Sequence, residues 1–465
     1  MTRAASHDVS QAWDSGYYHL PFAARLGGVL TEREYVFGPD NAARFAGFPL
    51  LGELIQGVLW RMFRRPEAAN FAALASLPLF ALSIRGLVPR DGRASTPSRA
   101  PFGSLVLVLL GIPLVMTHAT STYVDLPASL ALSSALLRTT LLPSKRLGKA
   151  ASISCSLLLL AISTNMRLQH LPPALFVLCV LVARLWRAHS GGATFSRKSL
   201  APFLLVALVF FVPLKNVALH GNPVYPVELS LFGRALPFTE TRYSSSPVWL
   251  EHASQPVRFV LSLLEVGLPS FGEPNRYSID QWTPPSHPGY RMGGSFGVGM
   301  VVHLALVSWC VCALRGPIRQ RLVVVLGTFT VLTSLMPQSH ELRYTLYFPI
   351  TLATLTVLLG ARALPRLSTL AAWTLPLAIA VGTRGAWLAP AGSTFPELLQ
   401  RKVDRTLIDA TKEGGALCVS RPPWTWLYAA KFHGRHYSVR EDDTSCAPST
   451  ELRSASARTA SSTLR

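Results

Sequence analysis

Five groups of ionisable residues stand before or between the apolar runs of this chain, and their types suit transfer chemistry on a charged substrate. Asp14 lies in a polar segment near the start, and Asp125 is the single acid of Ser121-Thr-Tyr-Val-Asp-Leu-Pro127. Arg167 interrupts two short apolar runs, Lys215 ends another, and His340, Glu341, Arg343 and Tyr344 cluster at the end of a third. A carboxylate can take a proton from a hydroxyl, and a guanidinium grips a phosphate bidentately. Any one of these residues taken alone is adequately explained as a boundary residue snorkelling to a membrane interface. Charged groups in or near membrane spans are nonetheless functional candidates as a set. No phosphate-binding glycine loop, GxSxG, CxxC or HExxH motif occurs, so the familiar soluble enzyme classes find no support.

The elements that must position these groups are apolar runs near 71–88, 101–118, 126–142, 150–164, 171–187, 200–217, 296–314, 322–337, 346–362 and 367–389. Ten such runs predict an all-α polytopic membrane protein. The composition agrees: 49% of the 465 residues are hydrophobic and only 15% charged, with a mean hydropathy of +0.32, whereas soluble domains carry about a quarter charged residues. The 44 Lys and Arg against 24 Asp and Glu give a net charge of +20, a balance that would by itself suggest nucleic acid. Its distribution argues otherwise. Alternate connections around 85–99, 138–149, 184–198, 315–321 and 362–366 hold 17 basic residues and one acid, Asp91, whereas the long connection 215–295 holds six of each. This is the asymmetry of the positive-inside rule. It places the Arg-rich connections in the cytoplasm and Asp125, Arg167, the 215–295 loop, Glu341 and Arg343 outside, with no nucleic-acid partner.

Residues 1–70 lack the continuous apolar core of a signal peptide and read as a first outer loop. Within it Phe48–Phe63 carries Glu53, Gln56 and Arg61, which suits an interfacial helix better than a span. The loop 215–295 is rich in Pro and aromatic residues, open to both an interfacial-belt and a substrate-contacting reading. From 390 the chain turns polar, with helical periodicity at 396–412 and strand-like Ala416–Ser420 and Tyr437–Arg440. A small extracytoplasmic α/β module over 390–446 is expected, followed by a disordered tail over 447–465. Cys418 and Cys446 are the one cysteine pair outside the apolar runs, where a disulfide can persist; spacing leaves bridged and free forms both open.

Trp13-Asp-Ser-Gly-Tyr-Tyr-His-Leu-Pro-Phe-Ala-Ala24, Phe48-Pro-Leu-Leu-Gly-Glu53, Tyr123-Val-Asp-Leu-Pro127, His220-Gly-Asn-Pro-Val-Tyr-Pro226 and Glu341-Leu-Arg-Tyr344 together resemble the GT-C superfamily of polytopic glycosyltransferases. The likeness, over roughly residues 10 to 365, is to the bacterial branch related to protein mannosyltransferases and lipid A aminoarabinose transferases. It implies transfer of a sugar from a polyprenyl-phosphate donor to an acceptor outside the cytoplasmic membrane. It further implies Asp14 and Asp125 as the catalytic acids and Arg343 as the ligand of the donor phosphate. Arg167 and Lys215 are weaker phosphate candidates, and His19, Glu341 and Tyr344 are supporting residues. Relatives begin with a span ahead of the first outer loop, whereas 13 residues precede Asp14 here; a truncated reading frame or an inactive relative is the expectation this sets against activity. The acidic signature, often doubled in relatives, continues here with Ser15, and nothing in the sequence supports a bound divalent metal. The competing functions are a transporter or lipid flippase and a polysaccharide polymerase or ligase.

Overall fold

The computed structural model describes residues 2–87, 100–147, 150–189, 200–241, 246–268, 277, 292–363, 392–419 and 423–441. The expected run at 367–389, most of 269–291, and the tail with Cys446 lie outside the described residues. The protein is mostly helical. Its first segment comprises α1 (Thr2–His7), a π-helical turn (Ser15–His19), α2 (Leu20–Leu26), the short strand β1 (Tyr35–Val36), α3 (Pro39–Gly47) and α4 (Leu51–Phe63). The apolar body follows with α5 (Phe71–Ile84), α6 (Ala100–Leu110), α7 (Pro113–His118), α8 (Asp125–Leu141), α9 (Ser144–Leu147), α10 (Ala150–Met166), α11 (Leu171–His189), α12 (Leu200–Val209) and α13 (Phe211–His220). After the hairpin β2 (Ser230–Leu231) and β3 (Arg234–Ala235) come α14 (Gln255–Leu263), α15 (Gly297–Ala313), α16 (Pro317–Leu335) and α17 (Tyr347–Ala363).

Three described helical stretches are long and apolar enough to cross a membrane: Pro66–Leu87, Leu168–Arg187 and Pro317–Leu335, of 22, 20 and 19 residues. Ala150–Met166, Gly297–Ala313 and Tyr347–Gly360 are apolar but shorter. Two of the expected runs are broken. The run at 101–118 divides at Gly111–Ile112, where Pro113 opens a new helix, and the run at 200–217 divides at Phe210. A residue preceding proline is pushed out of the α region, and Ile112 is accordingly extended at φ −88° and ψ 115°.

Helix α8 is the axis of the body, packed against α5, α10, α11 and α17. Nearly all of its residues are buried, which its small side chains permit: Ala128, Ser129, Ala131, Ser133, Ser134 and Ala135 let neighbouring backbones approach. Hydroxyls bind the packed helices together. Ser133 Oγ donates to the Tyr347 carbonyl (3.0 Å), and Thr351 Oγ1 donates to Ser133 Oγ (3.1 Å). At the C-terminal end of α8 the last carbonyls are met by arginines from other helices. Arg184 donates to Thr139 O and Leu142 O, and Arg321 to Thr140 O, which is how cations complete a helix C-terminus. Asp125 opens the other end of the same helix. Its 17 residues at 1.5 Å each separate the two ends by about 25 Å.

Residues from 392 onward form a helix (Phe395–Lys402), a second short helix (Arg405–Ala410), β4 (Ala416–Val419), two 3₁₀ turns and β5 (Ser438–Glu441). These elements share one core with the first segment. The sheet order is β1-β5-β4, all parallel, with Tyr35 opposite Val439. Buried Trp426 stacks on Phe395 and meets Trp60 of α4 edge-on, and Glu67 accepts the Phe395 N–H at 2.8 Å. Asn41 donates to both oxygens of Glu441 (2.9 and 3.0 Å). The elements near the two chain ends therefore fold as a joint layer. Cys418 on β4 is disulfide-bonded.

Candidate functional site

Asp14 stands directly before the π-helical turn Ser15–His19, a rare helix type found often at functional sites. The turn is clamped from the C-terminal layer. A Cβ on Gly16 would lie 2.6 Å from the Trp424 ring, and the Trp424 N–H points to the Gly16 carbonyl (3.4 Å). Trp424 itself has φ +85°, a conformation a bulky aromatic residue adopts only when its surroundings hold it there. Sequence order gives no hint that residue 424 fixes the geometry at residue 14.

Arg343 lies on the turn between α16 and α17. Its Nη1 donates to Asp14 Oδ2 at 3.1 Å across 329 positions of sequence, and its Nε lies 3.6 Å from Glu341 Oε2. The guanidinium also sits over two rings, 4.7 Å from the Tyr344 centroid and 5.7 Å from that of Tyr123, and donates to Tyr344 Oη at 2.7 Å. Burial disfavours its charge, but Tyr344, Asp14, Tyr123 and Glu341 more than compensate, and its pKa is raised well above the ordinary arginine value. Burial pushes the Tyr344 phenol up as well, against the pull of Arg343. The site thus holds a permanent cation beside a neutral phenol.

Arg167 follows the C-terminus of α10, and Asp125 opens α8. Their side chains form a buried ion pair. Both placements suit helix dipoles, with the acid at an N-terminus and the cation beyond a C-terminus. Arg167 stacks on the other side of the cluster, 5.0 Å from the Tyr344 centroid, so Tyr344 contacts both guanidiniums. Asp125 has electrostatic contact with Arg167, His118, Arg343 and His19, which makes the two acid–arginine pairs one connected group. With Glu341 the cluster holds three carboxylates against two guanidiniums, and a phosphate entering between the arginines would displace a carboxylate rather than fill a vacant cation site.

His19 ends the π turn and bonds through Nδ1 to Glu53 Oε1 at 2.7 Å. Its ring meets Tyr123 edge-on at 5.4 Å. Glu53, Gln56, Gly57 and Trp60 form the buried face of α4, while Leu54, Val58, Met62 and Phe63 are exposed on the other. The expected helix is present over Leu51–Phe63, with Glu53 and Gln56 facing inward and Arg61 exposed. Close approach of α2 to α4 needs Gly57, where a Cβ would fall 2.2 Å from the Ala23 carbonyl oxygen. That approach brings Glu53 to His19.

Of the residues singled out from sequence, Asp14, Asp125, Arg167, Glu341, Arg343 and Tyr344 come together, with His19 adjacent. Lys215 is engaged elsewhere: it donates to the Ala46 carbonyl at 2.5 Å. Sequence reasoning missed Glu53, Tyr123 and Trp424 as site-forming residues. The first had a legible signal, an acid on the same stripe as Gln56 and Trp60 of an otherwise apolar helix. Among the described residues no group of three or more His, Cys, Asp or Glu side chains is arranged to hold a metal ion. No protein-family model matches the chain, and no curated protein matches it.

Proposed function

We propose that the chain is a polytopic membrane glycosyltransferase of the GT-C type, with about ten spans. It transfers a sugar from a polyprenyl-phosphate donor to an acceptor outside the cytoplasmic membrane. The observation that carries this reading is the meeting of Asp14 with Arg343, joined through Tyr344 and Tyr123 to the Asp125–Arg167 pair. The four residues come from four distant stretches of sequence, and they gather at one end of α8, whose other end is met by Arg184 and Arg321. An acid–cation cluster at the end opposite an arginine-rich end is the arrangement that the loop charges ask for. Arg343 takes the donor phosphate, Asp14 holds Arg343 in place until the donor arrives, and the Asp125–Arg167 pair supports Tyr344 from behind. The apolar helices anchor the protein in the bilayer and admit the donor's polyprenyl tail. The short helices and their breaks at Gly111–Ile112 and Phe210 are of the kind tolerated where backbone lines a protein interior.

The test uses membranes containing the full-length chain and radiolabelled undecaprenyl-phosphate-linked mannose, glucose and aminoarabinose. Transfer into lipid, glycan or protein fractions is expected from the wild type. Asp14→Asn and Arg343→Ala should each abolish it while expression and insertion persist. Undiminished transfer by both variants refutes the assignment.

A further inference from the structure

The His19–Glu53 pair has the makings of a proton acceptor, and the polar atoms around it show what it would act on. Glu53 accepts the Nδ1 hydrogen of His19 at 2.7 Å, which fixes the tautomer and leaves the Nε2 lone pair available. His19 Nε2 is buried with no hydrogen-bond partner, and the same holds for Glu53 Oε2, Gln56 Oε1, Thr122 Oγ1 and Asp125 Oδ2. These atoms are connected through the structure. Gln56 lies one turn after Glu53 and donates to the Thr122 carbonyl at 2.6 Å, Tyr123 meets His19 edge-on, and Asp125 begins the following helix. Buried polar atoms are rarely left unsatisfied, and an unsatisfied group of this size marks a place for hydroxyl groups or water. Asp14, by contrast, already accepts a hydrogen bond from Arg343 at 3.1 Å. His118 also has a buried Nε2 without a partner, but its Nδ1 bonds to the Leu114 carbonyl. A neutral carbonyl stabilises an imidazolium less than the carboxylate of Glu53 does.

We propose that His19, held by Glu53, is the general base of the transfer reaction, and that the acceptor hydroxyl binds beside Gln56, Thr122 and Tyr123. The inference rests on the transferase reading above. The acceptor O–H bond breaks and its proton passes to His19 Nε2. The acceptor oxygen forms the new bond to the anomeric carbon of the sugar. The bond from that carbon to the donor phosphate breaks, and its electron pair leaves on the polyprenyl phosphate, which Arg343 binds. Glu53 stabilises the resulting imidazolium without itself being protonated.

The experiment compares wild type and His19→Asn in the membrane assay above. An Asn amide nitrogen can occupy the position of Nδ1 and keep the bond to Glu53, so a purely structural role survives the change, whereas the base is lost. The expected result is a fall in kcat of about a hundredfold or more, with KM for the donor and the thermal stability of the purified protein as in the wild type. If H19N unfolds, Glu53→Gln decides: its amide oxygen still accepts the Nδ1 hydrogen but no longer stabilises the imidazolium. A lowered kcat at unchanged stability then supports the assignment. Wild-type kcat in folded H19N, or in E53Q where H19N does not fold, overturns the base assignment while leaving the transferase reading standing. A wild-type protein that transfers none of the three sugars overturns both.

Discussion

Removing Asp125 tests whether its pairing with Arg167 is a structural requirement of this fold. Asp125 has no exposed surface, and the Arg167 side chain is 11% exposed, so neither charge can turn to water when its partner is lost. Arg343 lies close enough that the two guanidiniums repel, and in Asp125→Ala two cations would share Tyr344 with Asp14 and Glu341 as the remaining acids. Breaking a buried pair from one side costs about 3–5 kcal/mol, because an uncompensated charge stays behind. Replacing both partners with apolar residues of similar volume is often neutral or stabilising. The expectation is therefore a strong sign of non-additivity: D125A and Arg167→Met each destabilise by about 3–5 kcal/mol, and Asp125→Leu combined with Arg167→Met destabilises less than either. Thermal unfolding of the detergent-purified proteins gives the ordering of the three variants and the wild type. A D125A protein as stable as the wild type, or a double variant whose loss equals the sum of the singles, refutes the reasoning. Transfer activity adds a second reading. A stable double variant that still transfers sugar makes Asp125 a positioning residue only.

Two further outcomes follow from the joint layer of the chain ends. Gly16→Ala puts a methyl 2.6 Å from the Trp424 ring, and since that ring is buried and its backbone is constrained, the overpacking should cost about 1–3 kcal/mol; limited trypsin digestion should then cut the region after 392 faster than in the wild type. Burial, with a smaller contribution from Arg405, holds the His433 imidazole below its ordinary pKa despite a bond to the Leu427 carbonyl. A depressed folded pKa means that the unfolded chain binds the proton more readily. The stabilisation from a neutral His433 is thus full above pH of about 6.5 and is lost as the pH falls through the folded value. Thermal unfolding between neutral and mildly acidic pH should show this loss, and His433→Gln should reduce it.

Much of the site was legible because its residues are conspicuous against their background. An isolated Asp125 or Arg167 between apolar runs needs a partner whatever the fold, since an unpaired charge at that depth is costly. The individual partners were not legible. Nothing in spacing relates Asp14 to Arg343 across 329 positions, and the pairing follows from the π-helical turn after Asp14 meeting the 336–346 turn. Lys215 illustrates the converse. By type and position it resembles Arg167, yet α13 meets the end of α3, so that Lys215 donates to the Ala46 carbonyl and the neighbouring Asn216 to those of Gly47 and Tyr225.

The sequence by itself determined the helical character of the protein, the uneven spread of arginine among its connections, and the small set of charged residues that require partners. These follow from composition and order, because hydrophobic runs and loop charges act on each segment separately. Only the tertiary structure decided that Tyr35–Val36 completes a sheet with strands more than 380 residues away, that Trp424 closes on Gly16, and that Glu53 reaches His19. Each of these depends on two surfaces fitting at atomic distance, and such a fit is a property of both partners and their geometry together.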